Sequence, residues 1–189
     1  MRIIGGIYRG RSIVVPKHSA LRPTSDRVRE TVFNVLTHGK WKSKTFCFWN
    51  CRVLDSFCGT GALGIEALSR GARHIAFMDI DKLALDTCRN NIKRIGETDK
   101  CKFFQNDCLF PTVADLAYNL VFMDAPYNRE LTRDALHALA NHGWFIPNAT
   151  IVVETSITEN LRLDCNFNVL DERKFRSTKV IFYRFLPIV

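Results

Sequence analysis

The stretch from Arg52 to Asp79, RVLDSFCGTGALGIEALSRGARHIAFMD, restricts the possible folds more than any other part of the chain. Val53 and Leu54 form a short apolar run that ends on Asp55 and opens into Gly59-Thr60-Gly61. An amphipathic segment with Leu63, Ile65, Ala67 and Leu68 follows and stops at Gly71. A second apolar run, Ile75 to Met78, ends on Asp79. Strand, glycine loop, helix and strand in that order make a βαβ unit of the kind that holds nucleotide-like cofactors.

Gly59-x-Gly61-x-x-Gly64 also fits the dinucleotide fingerprint, and the acid ahead of it decides between ligands. A pyrophosphate sits on such a loop and on the positive N-terminal end of the helix. Asp55, four residues before Gly59, would repel it. The same carboxylate suits an ammonium group, such as the methionine part of S-adenosylmethionine. Asp79, at the tip of the next strand, is placed to accept the two ribose hydroxyls. Asp107 is an expected acceptor for the adenine amine, and Ile80 and Phe57 are expected to flank that ring. The cofactor-binding set is therefore Asp55, Phe57, Gly59, Gly61, Asp79, Ile80 and Asp107.

Beyond Asp79 the pattern alternates. Helices are predicted at Lys82–Ile95 and Glu130–Asn141, with a short helical stretch at Phe110–Ala117. Strands are predicted at Lys102–Gln105, Leu120–Met123 and Ala149–Val153. Such alternation builds a parallel sheet covered by helices on both faces, with ligands at the carboxyl ends of the strands. Asp55, Asp79, Asp107 and Asp124 all end strands. Phe167–Leu170 and Thr178–Phe185 lack a helix between them and predict an antiparallel edge. The expected fold is Rossmann-like α/β, a mostly parallel seven-stranded sheet with an antiparallel C-terminal edge.

At 189 residues the chain suits one domain, 1–189, with an N-terminal extension (1–50) ahead of the core (51–189). No apolar stretch is long enough to cross a membrane, and the N-terminus lacks a signal-peptide core. Seven cysteines at irregular spacings predict reduced thiols in the cytoplasm and no metal site. The net charge of +8 is localised: residues 1–52 hold 11 Lys/Arg against Asp26 and Glu30, and the remainder is close to neutral. A concentrated basic segment is the footprint of a polyanion partner. Arg9 and Arg11, beside Tyr8 in a glycine-interrupted hairpin, and Arg22, Arg27 and Arg29 are the candidate RNA contacts, with the cofactor carboxylate as the alternative partner of Arg27 and Arg29. Thr24 or Ser25 is the expected N-cap of a helix running to about His38, with Val28, Val32, Phe33, Val35 and Leu36 on its core face.

Asp124-Ala125-Pro126-Tyr127 is the second chemical signature. An exocyclic amine on a base is a poor nucleophile because its lone pair is delocalised into the ring. The Asp124 carboxylate and the Ala125 carbonyl can grip its two N–H groups and turn the lone pair toward an electrophilic methyl. Pro126 stiffens the loop, and Tyr127 offers a flat face to a base drawn out of its stack. Positioning of this kind supplies most of the gain in an in-line displacement.

With these residues in view, the chain resembles the RsmD family of bacterial small-subunit (16S) ribosomal RNA methyltransferases. The resemblance is carried by Met1–Gly6, by Arg22-Pro-Thr-Ser-Asp-Arg-Val-Arg-Glu-Thr31, by Leu54–Arg70 and by Asp124–Tyr127. It implies a class I S-adenosylmethionine-dependent fold and methylation of the N2 amine of a guanine. It also implies a small ribosomal subunit or assembly intermediate as substrate, and a monomer is expected. The family usually has Pro where this chain has Ala125, which keeps the carbonyl acceptor but loosens the loop. Competing readings are an adenine-N6 methyltransferase, a non-catalytic ribosomal RNA-binding assembly factor, and a nicotinamide-dependent oxidoreductase, the last disfavoured by Asp55.

Overall fold

Apolar residues alternating with a period of two decide which way each strand faces, and the ladders then decide which strands share a face. The structure, a computed structural model, describes residues 1–16, 24–41, 47–126 and 131–187. In chain order the elements are α1 (Asp26–His38), β1 (Arg52–Ser56), α2 (Ala62–Ser69), β2 (His74–Asp79) and α3 (Lys82–Ile95). They continue as β3 (Cys101–Gln105), β4 (Tyr118–Met123), α4 (Leu131–Asn141), β5 (Phe145–Ser156), β6 (Phe167–Lys174) and β7 (Thr178–Phe185).

The strands form one sheet in the order β3-β2-β1-β4-β5-β7-β6. Pairing is parallel from β3 to β5 and antiparallel at β5–β7 and β7–β6. The order reverses between β1 and β4, so the crevice of the doubly wound sheet opens where Asp55 and Asp124 end their strands. Val53, Ile75, Phe77, Leu120, Phe122, Val152, Val180 and Phe182 share one core with α1, α2 and α3. Leu54, Ala76, Met78, Val121, Met123, Ile151, Val153 and Ile181 share a second core with α4. Helices thus cover both faces. No helix among the described residues is long and apolar enough to cross a membrane.

The expected core face of α1 is buried as predicted, and Ser25 is its cap, accepting from the Val28 N–H. Arg29 is a correction. It was expected to reach RNA or the cofactor carboxylate, but it is 0 % exposed. Its guanidinium donates to Asp26 and to the carbonyl of Arg2, and lies 3.8 Å from the fully buried Glu66 of α2. Glu66 also accepts from the N–H groups of Ile4 and Gly5, both at 2.8 Å, and from Arg70. Arg29 is structural: it joins α1, α2 and the N-terminal segment.

That segment is held by one bridge, Arg2–Ser12, with turns between, and docks at the far end of α2 through Ile7 N–H to Ser69. Residues 110–117 are not helical, a second correction. They form a strap pinned by Trp144 Nε1–H to the Thr112 carbonyl and by Ala114 N–H to His142. Pro111 donates no backbone hydrogen bond, and Phe110 and Val113 are left exposed, so no apolar stripe forms to bury. Strand β5 begins earlier than expected, with an irregular register against β4 and Asn148 in the left-handed region.

Candidate active site

Two glycines let the β1–α2 turn close against its neighbours. Gly61 has φ +81°, and a Cβ there would stand 2.4 Å from the Cys88 sulfur. A Cβ on Gly64 would stand 2.4 Å from the Phe77 ring and 3.0 Å from Asp55 Oδ2. With no side chain in the way, the Gly64 N–H donates to Asp55 Oδ2 at 2.8 Å. The loop is also tied to β2: Gly59 N–H donates to Asp79 Oδ2 at 2.8 Å, while Asp79 Oδ1 accepts from Asp81 N–H at 2.9 Å. Each carboxylate oxygen retains a second lone pair for a hydroxyl. Asp107 accepts from the Leu109 N–H, and Ile80 is largely exposed beside Asp79. Phe57 holds φ +56°, a conformation rare outside glycine.

Asp55, Phe57, Gly59, Asp124, Ala125 and Pro126 line one cleft of about 750 Å³, within the range of small-molecule sites. Asp79, Ile80 and Asp107 lie outside that cleft; Asp79 is joined to it through Gly59. Gly61 is buried behind the loop. Tyr127 and Arg22 lie outside the described residues. Of the candidate RNA contacts, Arg27 lines the cleft, whereas Arg9 and Arg11 are exposed on the N-terminal turn, at the opposite end of α2 from the glycine loop.

Four functional candidates were not singled out from the sequence. Thr24 donates its hydroxyl to Asp124 Oδ2 at 2.7 Å, bringing the start of α1 onto the tip of β4. Glu154 of β5 lines the cleft beside Asp124. Lys174 and Arg176, at the β6–β7 turn with Phe175 between them, form its other lip. The sequence signal for Glu154 was its place at a strand end; for the turn residues it was a basic–aromatic–basic triplet.

At the strand ends the charge is one-sided, although Arg27, Lys174 and Arg176 also line the cleft. Burial raises the Asp55 carboxyl well above the ordinary value; the Gly64 N–H pulls it back in part, and Asp124 and Asp79 push it further up. Asp79 is raised by burial and by the Asp81 charge, against the pull of three backbone N–H groups from Asp81, Gly59 and Ile80. Asp124 is raised to about 8 by burial and by the charge of Glu154, with the Thr24 hydroxyl opposing. Among the described residues no ion pair joins these three acids to a cation. Such a cradle favours a small ligand carrying positive charge. The ammonium and sulfonium of S-adenosylmethionine fit it, and a pyrophosphate does not.

A family model described as Conserved hypothetical protein 95 matches residues 1–184. The Haemophilus influenzae protein named Ribosomal RNA small subunit methyltransferase D is 35% identical, over 97% of this chain and 92% of its own length. The solved Putative methyltransferase yhhF from Escherichia coli superposes with a TM-score of 0.83 at 30% identity, covering 98% of both chains. A Salinibacter ruber RNA methyltransferase, solved with S-adenosyl-L-homocysteine, shares the fold with a TM-score of 0.66 at 15% identity, over 89% of this chain and 96% of its own. The fold is that of the class I S-adenosylmethionine-dependent methyltransferases.

Proposed function

This chain belongs to the family described as Conserved hypothetical protein 95, and we propose that it transfers a methyl group from S-adenosylmethionine to the N2 amine of a guanine in small-subunit (16S) ribosomal RNA. The observation that carries the reading is the meeting of Asp124, Ala125 and Pro126 with Asp55 and the glycine loop in one cleft at the sheet's switch point. The printed name of the Haemophilus influenzae relative supports ribosomal RNA as the substrate class. Residues 1–50 and 51–189 act as one catalytic unit in this reading. In support, Glu66 and Asn91 of the core hold the backbone of Ile4, Gly5 and Val14.

When bound, S-adenosylmethionine supplies an electrophilic methyl on a positively charged sulfur. Asp55 faces the ammonium, Asp79 the ribose and Asp107 the adenine amine, with Ile80 and Phe57 against the ring. Asp124 and the Ala125 carbonyl accept the two N–H groups of the target amine and point its lone pair along the attack line. Two fixed acceptors turn a bimolecular encounter into a positioned one, which is where most of the rate gain arises. Asp124 is also placed to accept the proton that the alkylated amine sheds. Tyr127 stacks on the extracted base, and Arg27, Arg22, Arg9 and Arg11 hold phosphates of the surrounding RNA.

The test is transfer of a labelled methyl from S-adenosylmethionine to small ribosomal subunits from cells lacking the endogenous activity, followed by nucleoside analysis. N2-methylguanosine is the expected product. Methyladenosine would replace the reading with an adenine enzyme. Tight binding of RNA and cofactor without transfer would replace it with an assembly factor.

A further inference from the structure

Glu154 is 7 % exposed and lines the same cleft as Asp124 and Ala125. The β4–β5 ladder explains why. It runs in parallel register from Leu120 opposite Thr150 to Met123 opposite Val153. The next positions along the two strands are Asp124 and Glu154. In-register residues of neighbouring parallel strands project to the same face, with backbones about 4.8 Å apart. Phe122 and Val152, two residues earlier, lie together in the core beneath α1 to α3. The two carboxylates therefore stand side by side above that core, on the helix face that carries the cleft.

Their proximity is felt electrostatically, since the Glu154 charge helps to raise Asp124. Two buried acids side by side cost stability, and such costs persist where a site needs them. Glu154 is also rigidly held, because it remains within the antiparallel ladder opposite Val180. It carries an interaction of its own, and a carboxylate accepts about four hydrogen bonds, so acceptor capacity remains.

Resting on the reading that the reaction is methylation of a guanine amine, we propose that Glu154 determines which base is accepted. Its carboxylate takes the N1–H of guanine while Asp124 and the Ala125 carbonyl hold the N2 amine. The chemistry of the base edges gives the discrimination. Guanine presents N1–H and N2–H₂ as adjacent donors. Adenine presents an amine beside a bare N1 lone pair, and 2-aminopurine presents the N2 amine beside the same bare N1. A carboxylate facing a bare lone pair is repelled and left without its hydrogen bond. A site built around a donor rejects the analogue that lacks it far more strongly than an apolar pocket rejects a methyl.

The target nucleotide is first located by mapping the labelled methyl in small-subunit RNA, and particles are then reconstituted with guanine, 2-aminopurine or adenine at that position. Methyl transfer is followed at about pH 8.5, above the Asp124 titration, so that the carboxylate form prevails. The unmodified chain is expected to prefer guanine over 2-aminopurine by about 100-fold in kcat/KM, the scale of a lost charged hydrogen bond. In Glu154→Gln, whose amide offers either an oxygen to N1–H or an N–H to a bare N1, the preference is expected to fall below about tenfold. Calorimetric S-adenosylmethionine binding serves as the check that the variant is folded. Methylation of guanine with 2-aminopurine accepted equally by the unmodified chain would overturn the role of Glu154 and leave the proposed function standing. Full discrimination retained by a folded Glu154→Gln would do the same. No methylation of guanine by the unmodified chain would remove the proposed function and this inference together.

Discussion

Thr24→Val removes the hydroxyl that donates to Asp124 Oδ2 at 2.7 Å while keeping the side chain's shape. Asp124 must be a carboxylate to accept both an amine N–H and, later, a proton; when protonated, one of its oxygens becomes a donor. Burial and the Glu154 charge raise its pKa to about 8, and the Thr24 hydroxyl is the influence pulling it down. Activity is therefore lost as pH falls through about 8 and is retained above it. A hydrogen bond to a charged group contributes about 1.5–3 kcal/mol, and one pKa unit corresponds to about 1.4 kcal/mol. Losing the Thr24 bond should therefore displace the acidic limb upward by about 1 to 2 pH units.

The assay is kcat/KM for S-adenosylmethionine, measured with subsaturating cofactor from about pH 6 to 10, because that quantity reports groups of the free enzyme. The expected result is a parallel limb displaced to higher pH. Superimposable limbs for the two proteins would refute the account of how Asp124 is tuned. So would a profile for the unmodified chain that is flat across this range.

The same acids make cofactor binding proton-linked. Asp55, Asp79 and Asp124 all titrate above their ordinary value, so the folded chain keeps protons that the unfolded chain has released. Their contribution to stability is present at low pH and is lost as pH rises above the ordinary carboxylate value, that of Asp124 as pH passes through about 8. A cationic ligand held by Asp55 and Asp79 reverses their shift and expels protons, so calorimetry near neutral pH in two buffers of different ionisation enthalpy should show net proton release; net uptake would contradict it. Asp124→Ala should abolish methyl transfer with S-adenosylmethionine affinity nearly unchanged, while Asp79→Ala should weaken cofactor binding, and equal loss in both would contradict that division of roles. Arg29→Met should lower folding stability by about 3 kcal/mol in denaturant titration, the scale of breaking a buried ion pair. Its RNA affinity once folded should not change; a selective loss of RNA binding would reinstate Arg29 as a contact.

Arg29 shows why some of the site was illegible. A basic residue on an amphipathic helix reads as a solvated or RNA-facing group. It is buried here because Glu66, 37 positions later in an otherwise apolar helix, supplies the opposite charge. That pairing is long-range, and nothing in either local pattern announces it. Thr24 and Ser25 were interchangeable as caps in the sequence, and only the tip of β4, a hundred residues away, separates them. Charge counting had the same blind spot. The near-neutral balance of residues 53–189 averages over Lys174 and Arg176, which the β6–β7 turn carries to the mouth of the cleft. The βαβ unit, the edge hairpin and the core face of α1 were legible because short periodicities and turn residues specify them locally.

The acids fall between these extremes. Each strand shows its own parity: Val53-x-Asp55, Ile75-x-Phe77-x-Asp79, Leu120-x-Phe122-x-Asp124 and Val152-x-Glu154. Parity within a strand says that each acid shares a face with the apolar residue two positions earlier. It does not say that the four faces are the same one, because a slip of one residue in any ladder would send an acid to the opposite side. The observed registers align Asp55 with Phe77 and with Phe122, and Phe122 with Val152. All four acids therefore project toward α1, α2 and α3, above a core that those helices fill. Four carboxylates share one face because the apolar residues beneath them do. The row of acids at the strand ends is thus held in place by the packing of the whole helix-covered face, and a bound cation relieves crowding that the sheet cannot relax by moving one strand.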